Sequence, residues 1–228
     1  MNIQYFEDVD RMSQKATEIV LEEVQGNPEA LLCTATGSSP TKLYQNLAKH
    51  KETFEKARII PLDEWIGLPT PEGSCHGYIE EHVLNPLHIP EEHYLRFNAD
   101  AESLEKECNR IQKLLNKEGP IDLCILGLGK NGHLGFNEPA EKLQPHCHIA
   151  NLAQQSLEHS MIGGTSSKPT KGLTLGMQDI LASKKIILMV SGEGKADATK
   201  QLLSKTITND CPATWLWNHN NVDCLILK

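Results

Sequence analysis

IDLCILGLGKNGHLGFNEP, residues 121–139, joins an apolar run to a glycine-rich turn. Its first part, residues 121–126, is apolar at nearly consecutive positions instead of at every second one. That pattern is typical of a parallel strand buried on both faces of a sheet. The loop that follows carries one histidine, His133, and one glutamate, Glu138, close behind the turn glycines. The stretch therefore predicts a central strand that leads into a loop with acid–base groups.

Strand and helix patterns alternate along the rest of the chain. Apolar spacing and turn residues predict helices at 10–24, 40–50, 74–84, 102–115 and 195–203, and strands at 30–34, 57–62, 121–126, 185–190, 214–217 and 222–227. We expect the helix at Pro40 to begin with a serine cap, and residues 163–171 to form a mobile loop. The alternation predicts an α/β fold with a doubly wound, mainly parallel sheet and helices on both faces, Rossmann-like, in a single domain over residues 1–228.

Composition narrows the class of partner. The 228 residues carry a net charge of −8, which disfavours nucleic acid and anionic membranes but allows a small anionic ligand. The seven cysteines are odd in number and show no CxxC spacing, so we expect reduced thiols. No basic-apolar leader and no apolar stretch of membrane length is visible. These features predict a cytoplasmic protein without a membrane segment.

Four segments are predicted to follow strands at the carboxyl edge of the sheet, where open α/β folds bind ligands. They are residues 36–39, 63–65, 127–138 and 191–195. The first and last have the composition of a phosphate cradle, with glycines, hydroxyl groups, amide groups at helix starts and one lysine. Ordinary capped turns would select the same residues, so the cradle stays one of two interpretations. The candidate phosphate-binding residues are Thr36, Gly37, Ser38, Ser39 and Lys195.

A dinucleotide site is the first alternative for the central loop, because Gly127, Gly129 and Gly132 match GxGxxG. That motif requires a helix directly after it and an acidic residue at the end of the next strand. Pro139 interrupts the helix, and residues 149–155 contain no acid. The sequence therefore disfavours a nicotinamide cofactor.

Three residues are candidates for proton transfer. A histidine can carry a proton near neutral pH, and a nearby carboxylate fixes its tautomer and stabilises its charged form. His133 and Glu138 fit that description, and Asp63 follows another predicted strand at the same edge. A helix cap or a turn residue is the alternative interpretation of Asp63.

The motifs ATGSSP at 35–40, LDEWIGLP at 62–69, GLGKNGHLGFNEPA at 127–140 and SGEGK at 191–195 together resemble the glucosamine-6-phosphate deaminase/isomerase family. The run LCILGLGKNGHLGFNEPAEKLQPHCHI is most similar to the galactosamine-6-phosphate isomerase/deaminase branch. The resemblance implies ring opening of an amino-sugar 6-phosphate, proton transfer between C2 and C1, and release of ammonia from a small-molecule sugar phosphate. No metal or organic cofactor is implied.

The resemblance also assigns roles by position. It implies that Asp63 shuttles the C2 proton, that His133 opens the ring and that Glu138 orients His133. Gly132 is counted with the substrate-binding positions. Asn131 stands where a glucosamine-type motif has an aspartate, and the lost negative charge makes an imidazolium less favourable.

Two further points depart from the allosteric relatives. In the glucosamine enzymes of the allosteric type, a lid segment brings an arginine to the substrate. That arginine has no clear match around residues 156–167, and Lys168 or Lys171 is the candidate replacement. Histidine at 148, near a position where those relatives hold an effector phosphate with arginine, makes allosteric activation doubtful.

Other functions stay open at this point. A 6-phosphogluconolactonase-like hydrolase is similar in fold. This chain, however, has FNEP at residues 136–139 where the lactonase loop has SLFP, and DEW at residues 63–65 where the lactonase has an arginine after the acidic residues. A catalytically silent sugar-phosphate sensor is the third interpretation, motivated by Asn131 and the missing arginine. The sequence leaves open both the C4 epimer and whether the chain forms a homo-oligomer.

Overall fold

The main sheet of the protein is wholly parallel. A computed structural model describes residues 1–68, 73–153 and 169–228. In this part of the chain the strands are β1 Asn2–Phe6, β2 Leu31–Thr34, β3 Arg58–Pro61, β4 Asp63–Trp65, β5 Leu123–Gly127, β6 His148–Asn151, β7 Lys171–Thr174, β8 Lys185–Val190 and β9 Val222–Leu227. Six of them form a parallel sheet in the order β1-β9-β8-β5-β2-β3. The other three form a small antiparallel sheet in the order β4-β7-β6.

The helices cover both faces of the parallel sheet. They are α1 Val9–Gly26, α2 Ser38–Leu47, α3 Cys75–Ile79, α4 Asn85–Leu87, α5 Leu104–Glu118, α6 Met177–Leu181 and α7 Ala196–Leu203. Segments of 3-10 helix occur at Ala48–Phe54, Glu91–His93 and Pro212–Asn218, and a short π-helix at Glu80–Leu84 joins α3 to α4. None of the helices in the described ranges is long and apolar enough to cross a membrane.

Alternation along the buried strands separates two cores. In β2, Leu31 and Cys33 pack on the face covered by α5, α6 and α7, whereas Leu32 packs on the face covered by α1 and α2. In β5, Cys124 and Leu126 pack on the same face as Leu31. Leu123 and Ile125 pack on the same face as Leu32. Because successive side chains point to opposite faces, a strand must be apolar throughout to fill both cores.

The chain order creates a crevice at the functional edge. From β2 the chain passes through α2 to β3 on one side, and it later returns to place β5 on the other side of β2. Such a reversal separates the loops after the two strands and opens a ligand site between them. The predicted doubly wound fold is confirmed.

Two predicted elements differ from the structure. Residues 214–217 were expected to form a strand, but they lie in the 3-10 turn Pro212–Asn218. Proline fixes φ at the start of this turn, and Oγ1 of Thr214 donates locally to the carbonyl of Cys211 at 2.7 Å. Helix α2 begins at Ser38 and not at Pro40, and its N-cap is Gly37 without a side-chain cap, so the predicted serine cap is wrong.

Candidate active site

A cavity of about 330 Å³ lies at the carboxyl ends of β2, β5 and β8. Its walls come from the segments 35–39, 62–65, 127–136 and 191–195. All four segments predicted to meet at this edge therefore contribute to one cavity. Thr36 and Ser38 are among the lining residues.

Asp63 lies on the floor of the cavity with only 6% of its surface exposed. It belongs to β4, where its register partner is Thr174, so it is neither a helix cap nor a turn residue. Its Oδ1 accepts a hydrogen bond from the thiol of Cys75 at 3.5 Å. Burial raises the pKa of Asp63 to about 7; the thiol and His133 oppose this rise, and Glu64 adds to it. A carboxylate with this pKa can accept and return a proton near neutral pH.

His133 and Glu138 are in contact, as predicted. Nδ1 of the imidazole lies 3.2 Å from Oε2 of Glu138. Nδ2 of Asn131 donates to the same oxygen at 2.8 Å, and Oδ1 of Asn131 accepts from the backbone N–H of His133 at 3.2 Å. His133 lines the cavity, whereas Glu138 and Asn131 lie behind it. Asn131 is therefore a support of the histidine–glutamate pair and not part of the cavity wall.

Two glycines of the central loop make room for side chains. A Cβ at Gly129 would overlap the imidazole of His133, so only glycine lets the ring lie against this backbone. A Cβ at Gly132 would overlap Sγ of Cys211, and Gly132 has a φ of +83°. Gly132, predicted as a substrate-binding residue, is absent from the cavity wall and instead allows close packing of the loop.

The predicted phosphate cradle combines two loops. Gly37 adopts a φ of +99° at the start of α2, a conformation that favours glycine and turns the chain into the helix. Ser39 accepts hydrogen bonds from Oγ of Ser191 at 2.9 Å and from Nζ of Lys195 at 3.4 Å. Hydroxyl groups, helix-start amide groups and an ammonium group thus converge at one end of the cavity, which suits an anion.

A second lysine, which the sequence interpretation missed, reaches the same place. Lys130 lines the cavity, and its stem passes 3.4 Å from the position that a Cβ of Gly194 would take. Burial, with a smaller contribution from the charge of Lys130, lowers the pKa of Lys195 to about 8. Two cations that repel each other in this way favour an anion between them. A lysine inside the glycine-rich loop was the sequence signal for this residue.

Aromatic side chains form the apolar wall of the cavity. The rings of Trp65 and Phe136 pack with centroids 4.5 Å apart, and both residues line the cavity. The sequence interpretation had quoted both residues in motifs without giving them a role.

The two lysines proposed as lid cations have different outcomes. Lys168 lies outside the described residues, as does most of the loop predicted at 163–171. Lys171 is exposed at the start of β7 and does not line the cavity. Among the residues that the structure describes, no group of three or more His, Cys, Asp and Glu side chains is arranged to hold a metal ion.

Comparison with known proteins places these features in a family. Residues 7–225 match the family described as glucosamine-6-phosphate isomerases/6-phosphogluconolactonase. A protein of Escherichia coli strain K12, named "Putative deaminase AgaI", is 39% identical over 98% of this chain and 91% of its own length. A glucosamine-6-phosphate deaminase of Alkaliphilus oremlandii is 37% identical over 100% of this chain and 98% of its own.

Solved structures show the same relationship. A monomeric glucosamine-6-phosphate deaminase of the NagB superfamily superposes with a TM-score of 0.95 at 33% identity, covering 100% of this chain and 98% of its own. The 6-phosphogluconolactonase of Thermotoga maritima has a TM-score of 0.78 at 18% identity, with 100% and 99% covered. The second likeness shows the fold alone.

Proposed function

The chain belongs to the glucosamine-6-phosphate isomerase/6-phosphogluconolactonase family, and from this membership we propose that it is an amino-sugar 6-phosphate deaminase/isomerase. The substrate is a 2-amino-2-deoxyhexose 6-phosphate, and the products are the ketose 6-phosphate and ammonia. One observation carries the proposal: a buried aspartate, a carboxylate-supported histidine and an anion cradle line the same cavity.

The first step is opening of the pyranose ring. His133 takes the proton from the O1 hydroxyl and delivers a proton to the ring oxygen, so the C1–O5 bond breaks and an aldehyde forms at C1. Glu138 accepts a hydrogen bond from Nδ1 and stabilises the imidazolium that exists between the two transfers.

The second step moves the double bond and releases nitrogen. Asp63 removes the proton from C2 and returns a proton to C1, while the aldehyde oxygen O1 gains a proton and the amine nitrogen gives one up, which converts the aldehyde and amine into a C1 alcohol and a C2 imine. Water then adds to C2, the C–N bond breaks, and ammonia leaves a ketone at C2. Because its pKa lies near 7, the carboxyl group of Asp63 can act both as acceptor and as donor at neutral pH.

The cradle at the other end of the cavity fixes the 6-phosphate. Gly37, Ser38 and Ser39 offer amide and hydroxyl groups, and Lys195 and Lys130 supply charge. Anchoring the phosphate in the cradle positions C1 and C2 for the proton-transfer groups.

We further propose galactosamine-6-phosphate as the preferred epimer. Support comes from the loop at 127–140 and its continuation to residue 149, which resemble the galactosamine-type branch.

Ammonia release from galactosamine-6-phosphate and glucosamine-6-phosphate, measured side by side, tests the reaction and the epimer together. We expect release from both, with the higher kcat/KM for galactosamine-6-phosphate. A higher value for glucosamine-6-phosphate overturns the epimer alone. No release from either overturns the deaminase, and hydrolysis of 6-phosphogluconolactone in its place would favour the lactonase.

The role of Asp63 has its own test. Asp63→Asn keeps the shape of the side chain but removes the base, so we expect substrate to bind while exchange of the C2 hydrogen with deuterated solvent stops. Undiminished deuterium incorporation at C2 in this variant would remove Asp63 from the proton transfer.

A further inference from the structure

The thiol of Cys75 lies between two groups of the cavity. Its Sγ donates to Oδ1 of Asp63 at 3.5 Å and lies 3.8 Å from Oγ1 of Thr36. Cys75 is fully buried at the start of α3, and it does not line the cavity. It therefore contacts the proposed base from the side away from the ligand.

Glu64 fixes the position of this thiol through hydrogen bonds to the backbone of Cys75 and His76. Its Oε1 accepts from the backbone N–H of Trp65 at 2.8 Å and of Cys75 at 2.9 Å, and its Oε2 accepts from that of His76 at 2.7 Å. A carboxylate that accepts from the first amide groups of a helix fixes the helix end. Because Glu64 follows Asp63 directly in β4, the start of α3 is fixed relative to Asp63.

The second oxygen of Asp63, Oδ2, lies beside Gly135, which lines the cavity. A Cβ at Gly135 would lie 3.2 Å from Oδ2 and 2.8 Å from Oγ1 of Thr174, so glycine allows the close approach of this loop to Asp63. One carboxylate oxygen thus accepts from a thiol, and the other lies next to a residue of the cavity wall.

We propose that Cys75 is a positioning residue for Asp63: its thiol holds Oδ1 so that Oδ2 faces C2 of the substrate, and Glu64 holds Cys75 in place. The proposal rests on the function proposed above. A buried carboxylate without such a donor could rotate about its χ2 angle and would lose a hydrogen bond to its charged form. The thiol is a weak, uncharged donor, so it orients the carboxylate of Asp63 while this carboxylate can still accept and release a proton.

Cys75→Ala and Cys75→Ser separate this role from simple packing. In Cys75→Ala we expect kcat at pH 7 to fall about tenfold, as loss of one hydrogen bond to a charged group predicts, while KM stays within about twofold. The acid limb of the pH profile of kcat/KM should move to higher pH, because the charged form of Asp63 has lost a donor. Cys75→Ser retains a donor and should restore most of kcat and the original profile. Cys224→Ala is the matched control, since Cys224 is equally buried in β9 away from the cavity and should leave both unchanged.

Two results would overturn the proposal: an unchanged pH profile in Cys75→Ala, or a serine variant no better than the alanine variant. A second measurement needs no turnover. In thermal unfolding at pH 8, Cys75→Ala should lower Tm more when residue 63 is aspartate than in an Asp63→Ala background. Equal losses in both backgrounds would show that the contact has no effect. If the wild-type protein released no ammonia but this coupling were present, the proposed function would fail while the contact stood.

Discussion

Oε2 of Glu138 is shared between Nδ1 of His133, at 3.2 Å, and Nδ2 of Asn131, at 2.8 Å. Since a carboxylate oxygen can only accept, the imidazole carries its proton on Nδ1 in this contact. The loop that places the histidine also carries its carboxylate and the amide that holds this carboxylate. We therefore expect substitutions in this loop to affect the proposed ring opening more than the proposed proton transfer at C2.

Glu138→Gln should affect ring opening selectively. Glutamine keeps the size of the side chain but cannot stabilise an imidazolium by charge, so we expect kcat with the cyclic substrate to fall about 100-fold. With an open-chain analogue the loss should be below about tenfold, and His133→Ala should show the same selectivity. Steady-state kinetics with both substrates measure this, with the exposed Glu141→Gln as control. Equal losses on the two substrates would remove the pair from ring opening.

Asn131→Asp should lower the thermal stability of the protein, although a glucosamine-type motif has aspartate at this position. The new carboxylate would replace a donor 2.8 Å from Oε2 of Glu138, and two such groups cannot both be charged at little cost. We expect Tm to drop relative to wild type at pH 8 and the difference to shrink as the pH is lowered, because protonation of either carboxyl group relieves the repulsion. A pH-independent difference, or none, would mean that the loop rearranges to separate the two groups.

The sequence predicted what depends on local pattern. The apolar run at β5 and the glycine turns after β2 and β8 indicated the parallel sheet and the cavity edge, because both signals lie within a few residues. The small antiparallel sheet was missed: β4 has three residues, and its pairing with β7 joins positions more than a hundred residues apart. Cys75 was missed for a different reason: it is 12 residues from Asp63 in the chain, and its contact with Asp63 depends on how α3 packs beside β4, which no local pattern shows.

Gly129→Ala tests whether the backbone under His133 must lack a side chain. A Cβ there would overlap the imidazole, so the ring must move away from Glu138. We expect kcat with the cyclic substrate to fall at least about tenfold. Gly26→Ala is the matched control, because a Cβ at the end of α1 would meet nothing within 4 Å. Retained activity in Gly129→Ala would show that the ring can be displaced without loss.

The two cradle lysines should differ in how they affect substrate binding. Lys195→Ala should raise KM for the sugar phosphate about 100-fold, and exposed Lys130→Ala about tenfold, with Lys142→Ala as control. The pKa of Lys195 near 8 means that its charge, and with it phosphate binding, decreases above that pH. Removing Lys130 also removes a repulsion, so the rise of KM should shift to higher pH in Lys130→Ala. Measurement of KM from pH 7 to 10 checks this; an unshifted profile would contradict the proximity of the two charges.

Asp63→Asn should stabilise the protein while it abolishes turnover, and the gain should depend on pH. The pKa of Asp63 is 3.8 in the unfolded reference and about 7 in the folded protein, so between these values the folded state binds more protons and wild-type stability falls as pH rises. The cost is absent below pH 4 and complete above pH 7, reaching at most about 4 kcal/mol. Urea unfolding of both proteins from pH 4 to 8 should therefore show a difference that grows with pH, whereas Asp197→Asn, an exposed control, should give a constant offset. A difference independent of pH would mean that Asp63 is ionised in the folded protein throughout this range, so that burial does not raise its pKa.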